Sequence, residues 1–173
     1  MKKFILIASF FLFGFAALSQ SKPAPVSTSS FTVKGHVKEQ VTFSEADILK
    51  AERHAINNVI ITNHKGETKG DTKEMTGVLL KDLLEKISLD ADNPKVYSEY
   101  YFVLAATDGY KVVYSWNELF NTSTGNTVYI VTEKDHKAVK DLPENILLVS
   151  TQDFKTGRRY LKNLESIYVG RAE

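Results

Sequence analysis

Hydrophobic and polar positions along this chain change period several times, and each change marks an element. The clearest stretch is Tyr100 to Trp116, YYFVLAATDGYKVVYSW. Two β-rich runs, Tyr101–Thr107 and Tyr110–Trp116, flank Asp108-Gly109, and Asp-Gly between apolar runs predicts a hairpin with a type I′ turn. Tyr101, Val103 and Ala105 alternate with Phe102, Leu104 and Ala106, and both sets are apolar. A strand apolar on both faces is covered on both sides, which places this hairpin in the middle of the domain.

The rest of the pattern reads in order. Phe31, Val33, Gly35 and Val37 alternate as a first strand. Ser44, with Asp47 at capping-box spacing, starts a helix whose buried side is Ala46, Ile48, Leu49 and Ala51. His54–His64 has a β-branched centre and predicts one strand. Lys65-Gly66 and Lys69-Gly70 mark a polar hairpin or loop running to Met75. Thr76 or Gly77 then caps a helix with Val78, Leu79, Leu80, Leu83, Leu84 and Ile87 on one broad apolar face. Pro94 lies in a loop. Asn117–Phe120 is a single helical turn, Ser123–Asn126 a turn, and Thr127–Thr132 a strand. Glu133–Leu142 is a charged, exposed loop. Ile146–Thr151 is an apolar strand, Thr156–Asn163 a basic connection, and Ile167–Val169 the last strand. The sum is an α+β domain: a mostly antiparallel β core with a few short helices.

The N-terminal end differs. Lys2 and Lys3 precede an apolar run from Phe4 to Leu18 and the small-residue pattern Ala17-Leu18-Ser19, so residues 1–19 read as a signal peptide cut before Gln20. That run is short for a membrane span of about 20 residues. The mature chain is therefore expected to be exported, periplasmic or secreted, with no membrane span. Residues 20–30, QSKPAPVSTSS, form a flexible leader, and residues 31–173 form one domain.

Composition narrows the chemistry. The chain has 173 residues, 43% hydrophobic and 25% charged, ordinary values for a globular protein. Its net charge is +1, and losing Lys2 and Lys3 with the signal peptide turns it slightly negative. That balance argues against a nucleic-acid partner. There is no cysteine, which excludes disulfides, thiolate metal sites and cysteine nucleophiles. His36, His54, His64 and His136 show no metal-ligand spacing. The nine glycines form neither a P-loop nor GxGxxG, and no serine sits in G-x-S-x-G. No catalytic residue is assigned. Asp108 serves its turn. Arg158 and Arg159 follow Thr156-Gly157 and adjoin Tyr160. Either they bind a phosphate or carboxylate as a fork, or one pairs with Asp153 or Glu165 and the other is solvated. Tyr97, Tyr100, Tyr101, Tyr110, Tyr114 and Trp116 crowd one stretch. They form a stacking platform for a planar ligand or an ordinary aromatic core.

Several of these pieces resemble one family. ATDGY followed by a strand and then WNEL, FTVKGHV (31–37) with VTFSEADILK (41–50), TGVLLKDLLEKI (76–87), PENILLVSTQD (143–153) and GRRYLKNLESIYV (157–169) stand in the order seen in small single-domain members of the sulfite-oxidase-type molybdopterin-binding fold. The resemblance implies that fold, and a cleft for molybdopterin or a related pterin. It implies cofactor contacts at Thr62, Asn63, His64, Asp108, Tyr110, Arg158 and Arg159. In cofactor-bearing members a cysteine thiolate ligates molybdenum. The corresponding stretch here is IITNH (60–64), and it offers no equivalent soft ligand. The resemblance therefore implies an exported, non-catalytic binding protein for a pterin-like or other small anionic ligand. One alternative is a molybdopterin-dependent oxidoreductase or a subunit of one, with a redox or membrane partner protein. Another is a protein-interaction module with no ligand.

Overall fold

A computed structural model describes residues 26–56, 59–63, 65–72 and 74–173. The predicted signal peptide, most of the leader and His64 lie outside the described residues. The fold is α+β, mostly antiparallel sheet with a few short helices.

The C-terminal strand organises the first sheet. β12 (Leu164–Arg171) lies between β1 (Ser30–Gly35), which it pairs in parallel, and β7 (Tyr100–Ala106), which it pairs antiparallel. β2 (Val41–Ser44) and β8 (Lys111–Ser115) complete the order β2-β1-β12-β7-β8. The sequence pattern shows only Ile167–Val169 of this central strand. The extension depends on Gly170, because a Cβ there would lie 2.2 Å from the Tyr101 ring. Strand β2 is absent from the pattern reading altogether.

The Tyr100–Trp116 hairpin forms, with three corrections. Tyr100, Phe102, Leu104 and Ala106 are buried, but Tyr101, Val103 and Ala105 are only partly covered, so the sheet is packed on one face. β8 is an edge strand rather than a central one. The turn is also different. Gly109 N–H donates to Ala106 C=O (2.9 Å), Ala106 N–H donates to Tyr110 C=O (2.9 Å), and only Gly109 has positive φ, +79°. This is a three-residue loop with glycine at the bulge, not a type I′ turn. Paired positive φ values occur instead at Asp135 and His136, within the charged segment Glu133–Leu142 whose pattern reads as loop. There β9 (Val128–Lys134) turns into β10 (Lys137–Ala138).

The second sheet has β9 at its centre. β6 (Met75–Leu79) pairs one edge, β10 and β11 (Leu147–Ser150) share the other, and β3 (Arg53–Ile56) pairs β6. The helix expected from Thr76 or Gly77 is thus a strand up to Leu79, and α2 is only Leu80–Leu84. The run Val78, Leu79, Leu80, Leu83, Leu84 is buried throughout, so its spacing fits both periods, and pairing to β3 and β9 decides the first part. Gly77 allows this approach: a Cβ would sit 2.8 Å from Ile130 C=O. The expected strand His54–His64 is two strands. β3 joins the second sheet, whereas β4 (Val59–Thr62) pairs β5 (Thr68–Thr72) in a separate ribbon.

Short helices close the corners. α1 (Glu45–Ile48) starts at a capping box in which Asp47 N–H donates to Ser44 Oγ and Ser44 N–H donates to the Asp47 carboxylate. Only Ile48 of its predicted face is buried; Leu49 is exposed. α3 (Trp116–Phe120) has the same device with Ser115 and Glu118. The main core lies between the sheets, with Phe31, Val33, Leu104 and Ile167 facing Val78, Leu83, Ile130 and Leu148. A smaller cluster of Ile56, Val59, Met75, Val131, Leu147 and Val149 covers the far side of the second sheet. No helix among the described residues is long and apolar enough to cross a membrane.

Candidate functional site

The ribbon β4–β5 is held against the turn Thr156–Arg159 mainly by the Thr156 side chain. Thr156 Oγ1 donates to Ile60 C=O (2.6 Å) and accepts from Thr62 N–H (3.0 Å). Gly157 follows so close to Thr62 that a Cβ would lie 1.7 Å from its carbonyl oxygen. Tyr110, carried by the hairpin turn, donates its hydroxyl to Arg158 C=O (2.6 Å). These contacts build one wall of a cleft of about 670 Å³. The opposite wall comes from the end of β9 and from the segments on either side of β11: Lys134, Asp135, Glu144, Tyr160 and Lys162.

The cleft carries four cations, Lys69, Lys134, Arg158 and Lys162, against two carboxylates, Asp135 and Glu144. Lys162 Nζ donates to Glu144 Oε1 at 2.8 Å, and Lys134 Nζ stands 3.7 Å from Glu144 Oε2. Burial works against the Glu144 charge, but the hydrogen bond from Lys162 and the charges of both lysines hold its carboxyl below the ordinary value. Lys134 Nζ also donates to the Tyr160 hydroxyl (3.3 Å). Tyr160 is pushed up to about 12, first by burial and then by the negative charge of Glu144. Its phenol therefore stays protonated and can donate to an acceptor in the cleft. The arrangement can neutralise and hydrogen-bond an anion.

Four of the residues singled out in the sequence line this cleft together: Thr62, Asn63, Tyr110 and Arg158. The polar groups of Asn63 serve the ribbon turn, accepting from Lys65 N–H (2.8 Å) and Glu67 N–H (3.0 Å). Asp108 does not line the cleft; it accepts Tyr110 N–H at 2.9 Å and so shapes the turn that carries Tyr110. His64 lies outside the described residues. Arg159 belongs to a different cluster. Its Nε and an Nη donate to Asp153 at 2.7 and 2.6 Å, its other Nη donates to Glu118 at 3.1 Å, and its guanidinium lies 4.4 Å from the Tyr114 ring centroid. The fork expected for an anion is already filled. Lys69, Lys134, Glu144 and Lys162 were not anticipated.

Of the crowded aromatics Tyr110 lines the cleft and the others lie elsewhere. Trp116 is stacked on Phe120 at 5.4 Å and tilted against Tyr97 at 5.4 Å, so its faces are covered by other rings. Tyr100 and Tyr114 are fully buried. Tyr100 and Tyr114 thus belong to the aromatic core, whereas Tyr97, Trp116 and Phe120 line a second concavity of about 520 Å³. Among the described residues no group of three or more His, Cys, Asp or Glu side chains could hold a metal ion.

Comparison with known proteins supports the fold and stops there. No family model matches the chain, and no curated protein matches it. Among solved structures it is similar to the sulfane dehydrogenase SoxCD from Paracoccus pantotrophus, at a TM-score of 0.59 and 15% identity. The match covers 81% of this chain and 37% of that one, so the chain spans little more than a third of its neighbour's length. The likeness establishes a distant fold relationship.

The molybdopterin cofactor implied by the resemblance can be tested against the donors present. A pterin phosphate suits the cations of the cleft. A molybdenum centre does not: the cleft offers oxygen and amine donors, and the chain has no thiolate to ligate it.

Proposed function

We propose that the protein is an exported, non-catalytic binding protein that holds a small anionic ligand, a pterin phosphate or similar molecule, in the Lys134–Lys162 cleft. The observation that supports this most is the convergence of Lys69, Lys134, Arg158 and Lys162 with the protonated Tyr160 around one concave space of ligand size. Arg158 and the lysines neutralise the anion, Tyr160 donates to it, and Thr62 and Tyr110 bound the remaining volume. With no soft ligand for molybdenum, binding and metal redox chemistry are separated in this reading.

Calorimetry with a pterin phosphate and with inorganic phosphate tests the site. Binding of the ester is expected, weakened at least tenfold in Arg158→Ala/Lys162→Ala, which removes two charged hydrogen-bond donors. Unchanged affinity in that variant would reject the cleft. One molybdenum per chain in protein made in a cofactor-competent host would reject the non-catalytic reading. Export is tested by N-terminal sequencing: a mature protein beginning near Gln20 is expected, and an intact residue 1–19 segment would refute it.

A further inference from the structure

A third concave space, of about 280 Å³, opens beside α1 and the second sheet. Ligand pockets run from about 300 to 1,000 Å³, so this one suits a small molecule. Its apolar wall is Ile48 and Leu49 at the end of α1, Ile130 of β9, and Ile146. Leu49 is 52% exposed where it borders this space, so an occupant would cover it.

The polar wall is held by a fixed set of contacts. Asn145 is buried; its Nδ2 donates to Glu45 Oε1, and its Oδ1 accepts Ile146 N–H at 2.8 Å. Its main-chain carbonyl accepts from Thr28 Oγ1 at 3.2 Å. Ile146 has φ +54°, in the left-handed region that β-branched residues avoid. Its side chain is buried and its C=O accepts Leu164 N–H at 3.0 Å, which holds the strained residue in place. Strain of this kind persists only where the surroundings over-determine it, and it gathers at ligand sites. Asn145 thereby fixes the Glu45 carboxylate in the wall. Glu45 Oε2 takes no hydrogen bond from the described residues.

Four charged side chains border the space, two of each sign: Glu45 and Glu133, Arg53 and Lys140. Arg53, Glu133 and Lys140 are exposed and form no ion pair among the described residues. A simple anion drawn by Arg53 and Lys140 would meet Glu45 and Glu133, and a simple cation would meet the two basic groups. A ligand that carries both charges avoids either penalty. The space is separate from the cleft: Glu133 and Asn145 line it, whereas their chain neighbours Lys134 and Glu144 line the cleft.

We propose that this cavity binds a free apolar amino acid. Its ammonium sits on Glu45, its carboxylate on Arg53 and Lys140, and its side chain against Leu49 and the isoleucines. The proposal does not depend on the cleft being an anion site.

The test is an NMR titration of the isotope-labelled protein with L-leucine and with L-phenylalanine. Saturable binding of at least one, with a Kd of about 1 mM or tighter, is expected. The backbone signals that move should be those of Glu45, Leu49, Asn145 and Ile146, not those of Tyr160 and Lys162. The corresponding amide, which lacks the carboxylate, and the corresponding acid without the amine should each bind about tenfold more weakly. Glu45→Gln keeps an oxygen that can accept from Asn145 and removes the charge, so it should weaken the amino acid about tenfold. Ala138→Phe, which fills the space from β10, should abolish binding, and chemical denaturation checks that both variants are folded. No saturable binding of either amino acid, equal affinity for the amide or the deaminated acid, or unchanged affinity in Glu45→Gln would overturn the proposal. So would signals that move at the cleft instead. Arg158→Ala/Lys162→Ala should bind the amino acid as the parent does, so failure of this site and failure of the anion site are read separately.

Discussion

Arg158 and Arg159 are adjacent in the chain and belong to two regions built on different principles. Around Arg159 each guanidinium nitrogen has a close acceptor: Asp153 takes two hydrogen bonds, Glu118 takes one, and Tyr114 covers a face. The hydrogen bond to Asp153 leads the effects that hold this guanidinium protonated. Around the cleft the balance is unequal, with four cations and two carboxylates, and Glu144 is shared by Lys134 and Lys162. The first region is a closed ion cluster that joins α3 to the β11–β12 connection. The second gathers more cations than carboxylates around a concave space. Residue type does not distinguish a structural arginine from a binding one; the space its side chain borders does.

The comparison breaks most visibly if the closed cluster is opened. Asp153→Ala removes two acceptors from Arg159 while leaving the charge partly buried, and Ser150 loses its acceptor too. Stranding a charge in this way is expected to cost about 3 kcal/mol, measured by chemical denaturation. A neutral result would mean that Arg159 turns to solvent readily and that the two regions do not differ. Anion binding in the cleft should change little at denaturant-free conditions, because Arg159 does not line it.

Gly157 lies between the two regions, and a methyl group there sharpens the contrast. In Gly157→Ala the new Cβ would meet Thr62 C=O at 1.7 Å, so the ribbon must move away from the turn. The expected cost is about 2 kcal/mol, in the range for inserting a group where there is no room. The damage falls on one side: Thr62 and Thr156 lose their register, and the cleft wall shifts. Affinity for a pterin phosphate should fall by more than the loss in stability explains. Retained affinity would show that the ribbon is not part of the site.

How much of this could be read from the chain depends on distance along it. Ser44 with Asp47 is a local signal and forms the cap expected of it; SWNE at Ser115–Glu118 carries the same signal and accounts for the helical turn. The resemblance led to Thr62, Asn63, Tyr110 and Arg158, which do meet. Lys134, Glu144 and Lys162 were not legible. Each is an ordinary surface-type residue, and they come together only because β11 pairs β9 and Leu161 pairs Leu148. The paired turn at Asp135–His136 was hidden by the polar composition of Glu133–Leu142, which reads as loop. Strand β6 (Met75–Leu79) reads as helix for the opposite reason: a buried apolar run carries no period of its own, so only its partners assign it.

The smallest expected effect concerns the one carboxylate that the cleft does saturate. Glu144 is held between Lys134 and Lys162, and its folded-state pKa is lowered from the ordinary 4.5 despite opposing burial. A depressed carboxylate contributes stability that is fully present above its unfolded pKa and is lost as pH falls through the folded value. Glu144→Gln removes that contribution, at a cost of about 1 kcal/mol near neutral pH for a pair this close to solvent. The difference from the parent should shrink below 4.5 and vanish once Glu144 is protonated in both states, which denaturation midpoints at neutral and acid pH will follow. The same substitution leaves Lys134 and Lys162 without their internal anion, so a pterin phosphate should bind the variant more tightly at neutral pH. In the closed cluster the corresponding change, Glu118→Gln, offers no such gain, because Arg159 keeps Asp153. If Glu144→Gln binds the ester no better, Glu144 positions the two lysines rather than competing for them, and the pull on an anion comes from Lys69 and Arg158 instead.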